Sequence, residues 1–317
     1  LTYLNTKMIT LFYLLLFIIT AFAQDLEVDP GCPTCVVVND SCYNASTILE
    51  FNAPFRNTVV IHKIGILRSN NTFYYSFEPA IEDEEYFKIG FVNLDDHTQN
   101  GIFASPDLIL NFGTFDIDQD NELVYMGGSE GIFVLDTKEL KLSPYSSRGD
   151  TIRSIFFKTN VNFVKNDDRG IIVKRGDNFN TLYDDIFVKN FVITKYDVVI
   201  YLDNHGLFVG KGDVRVRVSK NAFFRGLNID LDGTVYTWWI DGIYKVIIEK
   251  NLEDSKVVKV ASLPMSIGAM TFDNDNNILF TVEKKLFRLT PTVTGCKLKE
   301  VKNNDNNGRV WTNANLI

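Results

Sequence analysis

The stretch Gly226–Val246, GLNIDLDGTVYTWWIDGIYKV, decides the fold of this 317-residue chain. Leu227, Ile229 and Leu231 alternate with polar residues and run into an Asp232-Gly233 turn; a β-rich run, 235–240, follows, then a second Asp-Gly and a third run from Ile243. Apolar alternation broken by Asp-Gly predicts three short antiparallel strands joined by tight turns. The same grammar recurs at 115–136 (FDIDQDNELVYMGGSEGIFVLD), at 198–213 (VVIYLDNHGLFVGKGD) and at 270–289 (MTFDNDNNILFTVEKKLFRL). A repeating meander of this size is the blade of a β-propeller.

An aromatic or aliphatic residue at the centre of each second strand, Tyr75, Tyr125, Phe163, Ile200, Tyr236 and Phe280, gives intervals of 50, 38, 37, 36 and 44 residues. These bracket the roughly 40 residues of a four-stranded blade and predict six blades. A glycine opens each third strand at Gly131, Gly170, Gly206 and Gly242, with Lys285 in that position in the last repeat. The long first interval holds an acidic insertion, EPAIEDEEYF (78–87), expected as a solvated surface loop. The expectation is therefore an all-β, six-bladed propeller in one domain, 24–302, closed near its termini by a disulfide clasp and followed by a flexible Asn-rich tail, 303–317.

Residues 1–23 read as a signal peptide. An apolar run from Leu11 to Ile19 is preceded by Lys7 and followed by Ala21-Phe22-Ala23, with Met8 as the expected translation start and Gln24 as the mature N-terminus. That run is too short to span a bilayer, so a secreted chain is expected. The formal net charge is −8, and Lys7 is the one charged residue of the leader. Such acidity opposes nucleic acid and anionic membranes as partners. We expect a monomer with neither.

In a secretory context the four cysteines, Cys32, Cys35, Cys42 and Cys296, predict two disulfides. With three near the mature N-terminus and one after the last repeat, one bridge must join the chain ends if all pair. Closing so large a loop is worth about 4–5 kcal/mol in the chain-entropy model. Three pairings are open; Cys35–Cys42 across a hairpin at Asn39-Asp40, with Cys32–Cys296 as the clasp, is the expectation. A redox reading of Cys32-Pro33-Thr34-Cys35 is disfavoured, because no βαβ pattern follows it. Glycosylation sequons stand at Asn39, Asn44 and Asn70.

The combination of VYMGGSEGIFVLD (124–136), SIFFK (154–158), 226–246 and FDNDNNILFTVEKKLFRL (272–289), behind the cysteine-bearing opening 35–50, resembles the ommochrome-binding proteins of insect haemolymph, especially those of moths and butterflies. The resemblance spans nearly the whole mature chain. It implies a secreted carrier of a tryptophan-derived pigment or precursor, a planar ring system bearing carboxylates and amines, bound without turnover and without any other cofactor. No ligand-contacting motif of that family transfers to particular residues here.

A flat anionic ligand calls for stacking surfaces and fixed cations. Aligning the inner strands on Asp230 places Arg225, Arg153 and Lys189 at equivalent upstream positions, a candidate positive ring at the axis. Trp238 and Trp239 are adjacent, so in a strand they face opposite sides; with Phe223 they are the aromatic candidates. The recurring acidic turns (Asp116, Asp118 and Asp120; Asp230 and Asp232; Asp273 and Asp275) lack the glycine and closing Glu of a calcium loop and read as turn chemistry. No catalytic residue and no metal site are predicted: His62, His97 and His205 are scattered, and no nucleophile motif occurs. The enzymatic alternative is a metal-dependent lactonase or esterase of the gluconolactonase type, for which Asn190, Asn228 and Asp230 are available without an inner-strand Glu. A propeller serving protein interaction is the third reading.

Overall fold

The computed structural model describes residues 26–28, 32–55, 58–80, 87–103, 111–293 and 295–298. The leader, most of the acidic insertion and the Asn-rich tail lie outside these residues. The described chain is all-β, with one short 3-10 turn at Leu252–Asp254. No helix among these residues is long and apolar enough to cross a membrane.

Four successive meanders, 61–102, 112–146, 152–182 and 190–219, form separate four-stranded antiparallel sheets. The fifth, 226–261, and the sixth, 270–291, belong to one nine-stranded sheet, joined by an N-terminal hairpin of β2 (Cys35–Val38) and β3 (Ser41–Glu50). β3 pairs along the strand Lys285–Pro291 and supplies the sixth meander with its outer strand, while Val38 of β2 pairs with Ala261 of the fifth. β1 (Leu26–Val28) pairs with Cys296–Leu298. Cys296–Leu298 pairs with β1 rather than with the last meander, whose edge is taken by β3.

Burial falls from the second strand of each meander outward. TFYYSF (Thr72–Phe77) and VIYLD (Val199–Asp203) are buried at every position, whereas the outer strands VRVRVS (Val214–Ser219) and NFNTL (Asn178–Leu182) are largely exposed. A strand covered on both faces needs apolar side chains at successive positions, which is why the second strands do not alternate. Among the described residues six hydrophobic clusters form, each shared by consecutive meanders. One of them joins the sixth to the first through Leu279 and Leu286 against Ile64, Phe73 and Phe77. The inner strands touch in the same cyclic order, Met270–Phe272 lying against Ile61–Leu67.

The turn aspartates serve the backbone. Asp118 accepts from the amides of Asp120 and Asn121, Asp230 from Asp232 and Thr234, and Asp273 from Asp275 and Asn277. These are Asx turns, and the carboxylates are held by N–H groups. The third-strand glycines have a common cause too. Gly242 has φ 146°, and a Cβ there would sit 1.9 Å from the Ala261 carbonyl oxygen. In the last repeat the left-handed residue moves to Glu283 (φ 50°), and Lys285 can stand where glycine recurs elsewhere.

The disulfides correct the expected pairing. Cys32 is bonded to Cys35, and Cys42 to Cys296, 254 residues apart. The two-residue turn at Asn39-Asp40 sets Val38 against Ser41, so Cys42 faces Val37 and Cys35 faces Asn44. The hairpin register thus sets Cys35 and Cys42 diagonally, two positions apart, rather than directly opposite. A clasp between the chain ends does exist, made by Cys42 rather than Cys32.

Asn39 lies in the exposed hairpin turn and Asn70 in an exposed turn, but Asn44 is half-buried within the sheet and accepts a hydrogen bond from the Thr34 hydroxyl at 2.8 Å. Glycosidase digestion with site mapping is expected to find sugar at Asn39 and Asn70 and none at Asn44. Gly242→Ala is expected to cost about 2 kcal/mol or more, read as a lowered denaturation midpoint. Burial raises the phenols of Tyr75, Tyr125 and Tyr236 from 10.0 to about 12. A folded pKa above the unfolded one stabilises fully below pH 10, and this contribution is lost as pH rises towards 12. Ultraviolet titration is therefore expected to show these phenols ionising together with loss of the fold.

Candidate functional site

The upstream ends of the inner strands surround a cavity of about 570 Å³. Backbone irregularities aim side chains into it. In each of the first three inner strands the register shifts at one residue, between Ile61 and Lys63, between Phe112 and Thr114, and between Ile152 and Ser154. The extra residues, His62, Gly113 and Arg153, all line the cavity. A bulge re-aims the side chain it carries, and here it turns the mouth of each strand towards the axis. The fourth and fifth inner strands reach the same level without a bulge: Lys189 N–H donates to Leu202 O and Arg225 N–H to Trp238 O, each just ahead of its strand.

Arg153, Lys189 and Arg225, aligned from the sequence, are thus brought to one cavity. Lys63 joins them from the first inner strand. Its Nζ donates to Ile155 O at 2.8 Å and lies 5.9 Å from the centroid of the Phe115 ring. Burial pushes the Lys63 ammonium below its ordinary pKa, with Asp116 opposing the shift. Burial likewise raises the Asp116 carboxyl, against the pull of Lys63, the Phe157 N–H at 2.6 Å and Arg68. Among the described residues, the cavity is lined by four basic side chains, Lys63, Arg153, Lys189 and Arg225, and one carboxylate, Glu78, which pairs with His62 at 3.2 Å. This mouth is electropositive in a protein of net charge −8.

A second cavity of about 400 Å³ lies on the other side of Lys63, Ile64, Asn190, Leu227 and Asn228, which line both. Asn228 is engaged by the backbone, donating to Met270 O at 2.9 Å and accepting from Ile229 N–H at 2.8 Å. Asn190 Oδ1 is enclosed and has no hydrogen-bond partner.

The aromatic candidates separate. Trp238 is buried in the cavity wall, 4% exposed, and its indole N–H donates to Gly268 O at 3.1 Å. A Cβ on Gly226 would meet its ring at 2.6 Å, so glycine there makes room for the indole. Trp239 points away, as strand alternation requires, and packs between the fourth and fifth meanders. Phe223, 69% exposed, lies 5.7 Å from the Trp239 ring, and the Arg225 guanidinium carbon sits 5.8 Å from that ring's centroid. Neither Phe223 nor Trp239 lines the cavity; they stand beside it, two and fourteen residues from Arg225.

Phe187 occupies the place relative to Lys189 that Phe223 occupies relative to Arg225. It is 45% exposed, with the Arg169 guanidinium 4.9 Å from its centroid. Lys63, the His62–Glu78 pair and Phe187 were not singled out from the sequence. Lys63 had a signal, a lysine inside the otherwise apolar strand IHKIGIL; Phe187-Val188-Lys189 beside Phe223-Phe224-Arg225 was another.

No protein-family model matches the chain. Among solved structures it is similar to a Xanthomonas campestris gluconolactonase (TM-score 0.59, 9% identity, 84% of this chain and 98% of that one). It is similar also to a calcium-binding regucalcin of Agrobacterium tumefaciens (0.56, 11%, 78% and 94%). A streptogramin B lyase matches as well (0.52, 12%, 79% and 98%). At such identities these likenesses speak for a propeller-like all-β fold alone. By sequence the chain is 25% identical over 297 residues, 87% of its length and 98% of the relative's, to the ommochrome-binding protein of Manduca sexta, and it is a homologue of that protein.

Proposed function

We propose that this chain is a secreted six-bladed propeller that carries an ommochrome or related tryptophan-derived pigment, without turnover, at the electropositive mouth of its channel. The observation that carries the reading is the lining of that cavity, where the described residues place four basic side chains beside one paired carboxylate, in a homologue of an ommochrome-binding protein. Arg153, Lys189 and Arg225 would hold ligand carboxylates, since guanidinium and ammonium groups in a partly dry cleft make the stronger class of hydrogen bond. Phe187 and Phe223, exposed at matching positions ahead of two of these cations, would take the flat ring system. Trp238 would act through the wall rather than by stacking, because its ring is covered.

The lactonase alternative asks for a divalent cation held by Glu, Asn and Asp in the channel. The described lining of the upper cavity favours an anion over such an ion: Glu78 is paired to His62, Asn228 is engaged by the backbone, and Asp230 lies in the second cavity, away from Arg153 and Arg225. A hard cation prefers several anionic oxygens.

Titration of the purified protein with an ommatin is expected to give saturable quenching of tryptophan fluorescence and a shift of the pigment's visible band. Absence of saturable binding would overturn the reading. Arg225→Ala and Lys189→Ala are each expected to weaken binding about 10–100-fold, the value of one charge-assisted hydrogen bond. Phe187→Ala with Phe223→Ala is expected to reduce affinity for the pigment while leaving that for a small aliphatic dicarboxylate unchanged.

A further inference from the structure

The two disulfides lie sulfur to sulfur. Sγ of Cys35, Cys42 and Cys296 are all within 4.8 Å of one another. Cys32-Pro33-Thr34-Cys35 forms a tight turn whose Cys35 N–H donates to Cys32 O at 3.1 Å, with Pro33 and Thr34 exposed and Cys32 half-exposed. Cys35 is buried against the clasp. Gly295 has φ 96°, and a Cβ there would meet Cys35 Sγ at 2.3 Å and Cys32 Sγ at 2.8 Å, so the residue before Cys296 lies against both sulfurs of this bond. No hydrophobic core, turn or ligand role described above requires a second disulfide at this spot.

We propose that the Cys32–Cys35 disulfide is a thiol-reactive site that controls the Cys42–Cys296 clasp by internal exchange. A thiolate of a small-molecule or protein thiol attacks Sγ of Cys32, the less buried residue of the pair, forming a mixed disulfide and expelling Cys35 as thiolate. Cys35 then attacks Cys42 Sγ, its neighbour. The Cys35–Cys42 bond forms, the Cys42–Cys296 bond breaks, and Cys296 departs with the electron pair and takes up a proton. A second thiol resolves the mixed disulfide at Cys32 and leaves as the external disulfide, so two thiols are oxidised and one protein disulfide is reduced. Exchange of this kind proceeds through attack of a thiolate on a disulfide sulfur within reach. The N-terminal hairpin then holds the last meander by β3 pairing alone.

Limited exposure of the full chain to reduced glutathione, followed by alkylation and non-reducing peptide mapping, tests this. The first partly reduced species is expected to contain a Cys35–Cys42 peptide with Cys296 alkylated, and to melt at a lower temperature than the oxidised protein. In Cys32→Ala/Cys35→Ala, which retains the clasp and carries no unpaired thiol, reduction of Cys42–Cys296 is expected to slow at least tenfold. A first species in which Cys42–Cys296 survives with Cys32 and Cys35 both alkylated would overturn the proposal. So would clasp reduction at the unchanged rate in the double variant.

Discussion

No meander of this chain can bury itself. Its second strand is apolar on both faces, and each face finds cover in a neighbouring meander, so stability is a property of the circuit of contacts among the described meanders. The pairing of β3 with Lys285–Pro291 is the interaction on which that circuit depends. It takes a strand from the N-terminus to finish the sheet at the C-terminus, removes an exposed edge, and brings Leu279 and Leu286 against the first meander. β2 extends the same lacing to the fifth meander, and the Cys42–Cys296 bond secures it covalently.

Closure also makes the site. Inner strands that converge bring together residues about 36 apart in sequence, and two bulge residues, His62 and Arg153, plus the lead-in residues Lys189 and Arg225 present their side chains to one cavity. Cations gathered there are costly to crowd unless something anionic joins them. Lys63 illustrates the cost: buried, it leans on the Ile155 carbonyl and on Asp116, and its ammonium is pushed downward in pKa all the same. Basic side chains gathered in a cleft focus the field there.

The all-β class, the repeat and the turn chemistry were legible from residue order alone, because tight turns and strand burial are local: Asp and Gly declare the turns, and unbroken apolar runs declare second strands. The alignment of Arg153, Lys189 and Arg225 was legible for the same reason, since equivalent blade positions meet at the axis. Lys63, His62 and Phe187 were harder to see. The bulges that aim His62 and Arg153 leave no residue signature, and Phe187 looks like any loop aromatic until it is seen opposite Phe223.

Four cysteines, three near one end of the chain and one near the other, announce two bridges and, by their distribution, a tie between the ends. Which sulfurs meet is another matter. A two-residue turn sets Cys42 against Val37, and the route of the C-terminal segment over Cys35 delivers Cys296 to Cys42. Local grammar, written in spacing and side-chain type, determined the strands and turns of this protein. Strand register, the paths of the two chain ends and the direction of individual side chains in the cavity came only from tertiary structure, because each depends on which backbone groups pair and pack, from a two-residue turn up to the 254 residues between Cys42 and Cys296, and residue type and spacing do not encode that.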